Sequence, residues 1–111
     1  PYDEGGLTGA IGPDTTFPEG DWRHHYFKGD RKAQVAAHVA PLKRLLGPEA
    51  QTLPELALRF CLFHPAVSTV IPGMRRRKHV QANCSVSDGR KLSDGLMKDL
   101  SHHAWQRNFY D

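Results

Sequence analysis

The clearest architectural signal in this chain lies at residues 67–83, which read Val67-Ser-Thr-Val-Ile-Pro-Gly-Met-Arg-Arg-Arg-Lys-His-Val-Gln-Ala-Asn83. The β-branched run at 67–71 predicts a short buried strand, which Pro72-Gly73 closes. A helix is expected to follow, beginning at Arg75 or Arg76 and ending at Asn83. A strand that leads directly into a helix is typical of an α/β barrel or a doubly wound sheet.

The start of this predicted helix concentrates positive charge, because Arg75, Arg76, Arg77 and Lys78 follow one another. The first turn of a helix also presents unpaired backbone N–H groups and the positive end of the helix dipole. Together these features are typical of an anion site, and phosphate is the natural ligand. A solvated basic helix start without any ligand fits the same residues, so both interpretations stay open.

Capping and breaking residues divide the rest of the chain into three further helices. Their predicted boundaries are Asp30, Gly47-Pro48, Thr52, His64-Pro65 and Ser93. Pro41 is expected to kink or break the first of these helices, and Thr52 with Glu55 forms a capping box for the second. The single strand has no partner strand in this sequence and cannot satisfy its own backbone groups. The chain is therefore predicted to be incomplete as a stand-alone barrel.

Residues 1–29 form a loop region in this prediction, because Gly, Pro, Asp and Thr recur there without a regular period. Its aromatic residues Phe17, Trp22, Tyr26 and Phe27 must pack on something. We expect that surface to be one that this chain does not fully supply. Residues 30–111 then form helix, helix, strand, helix and helix, and residues 1–111 together make a single partial domain.

Composition argues against several classes of protein. A formal charge of +3 is only mildly basic, whereas a general nucleic-acid surface needs more Lys and Arg with interleaved aromatics. No apolar run approaches the ~18–20 residues that span a bilayer, and no basic-then-apolar leader begins the chain. Cys61 and Cys84 show no paired spacing, which fits small buried side chains in a reducing cytoplasm. Adjacent histidines are poor joint ligands, so we predict no metal site.

The chain resembles the aldo/keto reductase family in five segments. These are Gly5-Gly-Leu-Thr-Gly9, Leu56-Ala-Leu-Arg-Phe60, His64-Pro65, the 67–73 run and His79-Val-Gln-Ala-Asn83. In that family the later segments form the last helix–strand–helix of a (β/α)8 barrel, and the Leu-Thr-Gly segment follows the seventh strand. The resemblance thus implies a helix-rich C-terminal segment of a TIM barrel, of the α/β class, with one strand.

The resemblance implies an oxidoreductase that reduces aldehydes or ketones with NADP(H). The family's loop after strand eight grips the adenosine 2′-phosphate, and Gly73, Met74 and Arg75 occupy that loop here. Some members have Lys-Ser where this chain has Gly73-Met74. The phosphate is therefore expected to depend on Arg75 together with Arg76.

Further cofactor contacts are implied for the rest of the predicted helix. His79 stands where the family has an Arg or Gln that reaches the adenosine end, and Asn83 matches the Asn that hydrogen-bonds the adenine edge. Ala82 replaces the usual Glu, so one adenine contact is expected to be lost. Residues 1–4 match the loop that runs along the pyrophosphate.

The resemblance assigns no catalytic residue to this chain, because the family's catalytic Asp, Tyr, Lys and His all precede the matching stretch. A whole barrel needs ~250 residues, so the chain alone is predicted to be inactive. Two alternatives remain open. One is a non-catalytic interaction or regulatory module that binds a partner through the basic helix start and exposed aromatics. The other is a phosphate or nucleotide binder without a redox role. An unpaired strand edge also predicts self-association.

Overall fold

Helices are the regular elements of this chain in a computed structural model that describes residues 1–111. The α-helices are α1 (Arg23–Tyr26), α2 (Arg31–Val39), α3 (Leu53–Phe63), α4 (Arg77–Cys84) and α5 (Asp94–Ser101). Two 3₁₀ helices, Gly6–Thr8 and Ala40–Leu45, complete the set. The radius of gyration is 14.4 Å, close to the value of about 13 Å expected for a folded chain of this length. None of the helices is long and apolar enough to cross a membrane.

The predicted helix boundaries are largely confirmed. Asp30 precedes α2, and the helix tightens into the second 3₁₀ helix at Ala40, next to Pro41. Thr52 caps α3 by accepting a hydrogen bond from the Glu55 N–H at 3.3 Å. The Glu55 carboxylate was expected to accept from the Thr52 N–H. It accepts instead from the Gln51 N–H, one residue earlier, at 2.9 Å. Ser93 caps α5 in the same way as Thr52 caps α3.

The strand predicted at residues 67–71 is not formed. Residues 67–75 have no regular secondary structure, and their only backbone–backbone hydrogen bond runs from the Val67 N–H to the His64 carbonyl. Ile71, expected to be buried, is 85% exposed. The reason is that a strand needs a neighbouring strand to bond its backbone groups, and the structure contains none. The structure therefore offers no strand edge for the predicted self-association.

The helix after this segment begins at Arg77 rather than at Arg75 or Arg76. Arg76 has φ −106° and ψ 146°, an extended conformation that places it just before the first turn. The helix ends at Cys84, one residue beyond the predicted end. The consequence for the site is that Arg75 and Arg76 lie on the incoming chain, whereas Arg77 and Lys78 belong to the first turn of α4.

The aromatic residues of the N-terminal region pack against the chain's own C-terminal tail. The expectation of a surface missing from this chain is therefore wrong for Tyr26 and Phe27, which are 2% exposed, whereas Trp22 remains 48% exposed. Tyr26 contacts Phe109 edge-on, with ring centroids 5.4 Å apart, and Trp22 contacts Tyr110 at 5.7 Å. The largest buried cluster consists of Ile11, Tyr26, Phe27, Val35, Val39, Leu53 and Phe109. Residues 1–29 are also less irregular than predicted, since they contain α1 and the first 3₁₀ helix.

A second, smaller core joins α3 to α5. It consists of Ala50, Leu56, Leu92 and Leu96. By contrast, Asn83 is the single buried residue of α4. Because α4 buries so little of itself, its first turn is left open to solvent and to ligands.

Candidate functional site

The four consecutive cations before and within the first turn of α4 have no partners in the structure. Arg75, Arg76, Arg77 and Lys78 are all exposed. None of the five ion pairs of the chain includes any of them. Most buried or half-buried arginines elsewhere in the chain are paired, so these four stand out as positive charge that is free to meet an anion.

The backbone of α4 adds to this positive region. The N–H groups of Arg77 and Lys78 lie in the first turn and have no acceptor inside the helix. Arg76, at the N-cap, makes no side-chain hydrogen bond that would occupy them. The positive end of the helix dipole points to the same place. This arrangement can hold a phosphate through charge and N–H donation together.

Gly73 and Met74 lead into this region and leave it open. A Cβ atom added at Gly73 would meet nothing within 4 Å, and Gly73 is not among the residues with a positive φ. The glycine is therefore not required by the backbone conformation, and its effect is to keep space free beside the cations. Met74 is partly exposed, at 38%.

A cleft of about 870 Å³ lies between α4, the start of α3 and the N-terminal residues. From the predicted site it is lined by Gly73, His79 and Asn83, and Lys78 also faces it. Met74, Arg75 and Arg76 do not line the cleft and are exposed next to it in the chain. The structure thus brings the predicted residues to one region, with half of them in the cleft. His79 is exposed and makes no side-chain hydrogen bond.

Asn83 is engaged within the protein. Its side-chain oxygen accepts a hydrogen bond from the Tyr2 hydroxyl at 2.5 Å, and its amide group donates to the Gly73 carbonyl at 3.2 Å. Asn83 is 8% exposed. One N–H and one lone pair of its amide remain for a ligand. In this structure Asn83 therefore connects Gly73, two residues before the cationic segment, to the N-terminal loop.

Tyr2 is the site residue that the sequence did not reveal. Sequence analysis assigned no cofactor contact to its side chain, and its partner Asn83 is 81 positions away. No local pattern links the two residues. Burial raises the pKa of the Tyr2 hydroxyl, so it remains a hydrogen-bond donor at neutral pH.

Comparison with known proteins shows the family of the chain. The model of the aldo/keto reductase family matches residues 1–104 of the 111-residue chain. The chain belongs to the aldo/keto reductase family. The family is one of TIM-barrel oxidoreductases that typically use nicotinamide cofactors. No curated protein and no solved structure matches the chain.

Proposed function

We propose that this chain is the C-terminal part of an NADP(H)-dependent aldo/keto reductase and contributes the site for the adenosine 2′-phosphate. The observation that supports the proposal most strongly is the group of four exposed, unpaired cations at the start of α4. NADP differs from NAD by one phosphate, and a cationic helix start is the kind of site that can recognise it.

The proposed role of each residue follows from the hydrogen-bonding groups or the space that it leaves available to a ligand. Arg75 and Arg76 have whole guanidinium groups available for bidentate hydrogen bonds to phosphate oxygens. Gly73 leaves room for the phosphate, and Met74 covers one side of it. His79 lines the cleft where the adenosine would lie. Asn83 takes a smaller part than expected, because one N–H and one lone pair of its amide are already bonded within the protein.

The remaining features of the proposal concern the whole protein. Residues 1–111 form one partial domain, and residues 67–71 become a barrel strand when neighbouring strands are present. The complete protein reduces small aldehydes or ketones in the cytoplasm. Cys61 is half-buried and Cys84 is exposed, so the expectation of two buried side chains is wrong for Cys84; both thiols are free, which supports that compartment. The chain by itself has no turnover, and NADPH oxidation in the presence of aldehydes by the pure chain would refute this.

Calorimetric titration with NADPH and NADH tests the cofactor proposal. We expect NADPH to bind more tightly than NADH, and we expect Arg75→Ala to weaken NADPH by about tenfold or more, the worth of a lost charge-assisted hydrogen bond. Arg75→Ala should leave NADH binding almost unchanged. Low ionic strength is needed, because the site is exposed and salt screens it.

Arg44→Ala is the matched control for this titration. Arg44 is also exposed and also makes no ion pair, but it does not line the cleft. The Arg44→Ala substitution removes the same charge outside the proposed site, so NADPH affinity should stay close to that of the unmodified chain. Equal losses in both variants would mean that only overall charge matters, and equal affinity for NADPH and NADH would rule out a 2′-phosphate site.

A second candidate function is a non-catalytic module that binds a protein partner. Phe60 is 47% exposed and Tyr110 is 66% exposed, and in this candidate such aromatics bind the partner together with the basic start of α4. Under this candidate, Phe60→Ser weakens partner binding and leaves NADPH affinity unchanged. Tight NADPH binding that depends on Arg75 favours the first candidate.

A further inference from the structure

The loop that forms one wall of the candidate site has an unusual backbone. Asp3 and Glu4 both have left-handed conformations, with φ values of 56° and 55°, and Gly5 continues them with φ 94°. Two successive left-handed residues other than glycine are rare and are disfavoured unless the surroundings hold them. The N–H groups of Gly5 and Leu7 bond back to the Tyr2 carbonyl, and that of Gly6 to Asp3, which closes the loop tightly.

The Asp3 side chain is held from two directions. Tyr26 donates its hydroxyl to one carboxylate oxygen at 2.5 Å. Arg107, from the C-terminal tail, donates to the other oxygen and forms an ion pair with it. The sequence separation between Asp3 and Arg107 is 104 residues. The tail thus reaches back to the strained loop and supplies the ion-pair partner of Asp3.

Arg107 is itself oriented by aromatic packing. Its guanidinium lies 4.4 Å from the Trp105 ring centroid and 5.2 Å from that of Phe109. Both rings belong to the tail, and Phe109 is buried in the main core. The planar guanidinium stacked on these rings has little freedom to turn away from Asp3.

The same loop shapes the candidate site. Tyr2 precedes the strained residues and lines the large cleft, where it bonds Asn83. A second hollow of about 580 Å³ lies beside it, lined by residues 1–5 together with Arg23, Gly73 and Tyr110. Tyr2 and Gly73 line both spaces. A ligand that extends from the large cleft into this second hollow therefore passes along the loop.

From these contacts we propose that Arg107 is a positioning residue for the cofactor site, with the C-terminal tail acting as a brace. Arg107 holds Asp3, Asp3 holds the left-handed loop, and the loop sets where Tyr2 stands. The brace matters for an extended dinucleotide and not for a ligand confined to the start of α4. This inference rests on the proposed function, since it concerns the same cofactor site.

The affinities for two ligands of different length distinguish a positioning role of Arg107 from a general effect on the stability of the fold. NADPH should extend along the loop, whereas adenosine 2′,5′-bisphosphate keeps the 2′-phosphate but lacks the second nucleotide. We expect Arg107→Gln to weaken NADPH by about tenfold, through loss of one charge-assisted hydrogen bond, with bisphosphate affinity unchanged. Arg107→Lys should recover part of the loss, because it keeps the charge.

Arg31→Gln is the matched control variant. Arg31 also holds the tail, since it donates to the Phe109 carbonyl at 2.7 Å and stacks over the Phe109 ring. It makes no hydrogen bond to residues 1–5, so it should not change the ratio of the two affinities. Asp3→Asn should reproduce the effect of Arg107→Gln, and the double variant should be no worse than either one.

The outcomes of this experiment separate the two proposals. If the unmodified chain binds neither ligand, the proposed cofactor site is wrong and the brace with it. If it binds both, and Arg107→Gln weakens them equally or leaves both unchanged, the cofactor site stands and the brace is refuted. Only a loss confined to NADPH, absent in Arg31→Gln, supports the brace.

Discussion

At the residue scale, Tyr26 is a buried phenol whose hydroxyl faces a carboxylate. It is 2% exposed and donates to Asp3. Burial, and then the hydrogen bond to Asp3, raise the pKa of Tyr26 to about 12. Because ionised tyrosine would stand next to a negative carboxylate, the folded state strongly prefers the neutral phenol.

This raised pKa predicts a loss of stability in alkali. A raised folded pKa gives stability that is fully present below the ordinary tyrosine pKa of about 10 and is lost as the pH rises toward 12. We expect the free energy of unfolding to fall by up to roughly 2–3 kcal/mol across that window. Urea titrations at increasing pH measure this, and Tyr26→Phe should show a smaller decline. Equal declines in both proteins would contradict the prediction.

Residue-level prediction from the sequence succeeded where the cause was local. The exposure of Arg75 and Arg76 follows from a run of cations that cannot all be buried. The bond between Tyr2 and Asn83 was out of reach, because it depends on how two distant segments meet. The same holds for Asp3 and Arg107, since nothing within either neighbourhood indicates the other.

At the scale of elements, the Arg59 side chain links α3 to the turn that follows α4. Its side chain is 3% exposed and pairs with Glu55 at 3.0 Å and with Asp88 at 2.8 Å. It also donates to the Arg90 carbonyl at 2.9 Å. A buried guanidinium with partners on each side is costly to disturb, because any lost partner leaves charge in an apolar setting.

The ion pair between Arg59 and Asp88 predicts that the stability of the fold decreases at acidic pH. Hydrogen bonds from Arg59 hold the pKa of Asp88 well below its usual range. Asp88 therefore contributes stability above the ordinary carboxyl pKa of about 4 and loses it as the pH falls through the lowered value. We expect Asp88→Asn to unfold at a lower urea concentration than the unmodified chain at pH 7. The two midpoints should converge only in strong acid, and a gap that persists there would contradict this.

The observed helices show which local sequence signals were sufficient to predict secondary structure. Caps at Thr52 and Ser93 and the break at Pro41 were predicted correctly, because capping and ring geometry act within one helical turn. The strand at 67–71 was not formed, because β-branched residues only favour a strand that has neighbours to bond. A helix satisfies its own backbone, whereas a strand does not.

At the scale of the whole molecule, the two ends of the chain make a single aromatic layer. Trp22 and Tyr26 contact the tail residues Phe109 and Tyr110 directly, and Phe17 is connected to them through Phe27 and Tyr26. The sequence indicated that the N-terminal aromatics needed a partner, but it did not identify the tail as that partner. The hydrophobic pattern of a sequence indicates that a residue needs apolar contacts, but it does not indicate which distant residue will supply them.

The family assignment and the helical structure fit together at this scale. The aldo/keto reductase family is one of TIM barrels, in which helices surround the strands. The chain keeps its helices because their caps and cores are internal. The segment before α4 stays irregular and exposed, and this leaves the cationic start of α4 next to an open cleft.

The start of α4 is proposed to bind the 2′-phosphate of NADP. The most direct test follows the backbone amide signals of the folded chain by NMR as NADP⁺ is added, with NAD⁺ as the comparison. We predict that the signals of Arg77 and Lys78, whose N–H groups are free, shift strongly with NADP⁺ and much less with NAD⁺. Signals at the start of α4 that do not move at a high NADP⁺ concentration, or that move equally with NAD⁺, would contradict the claim.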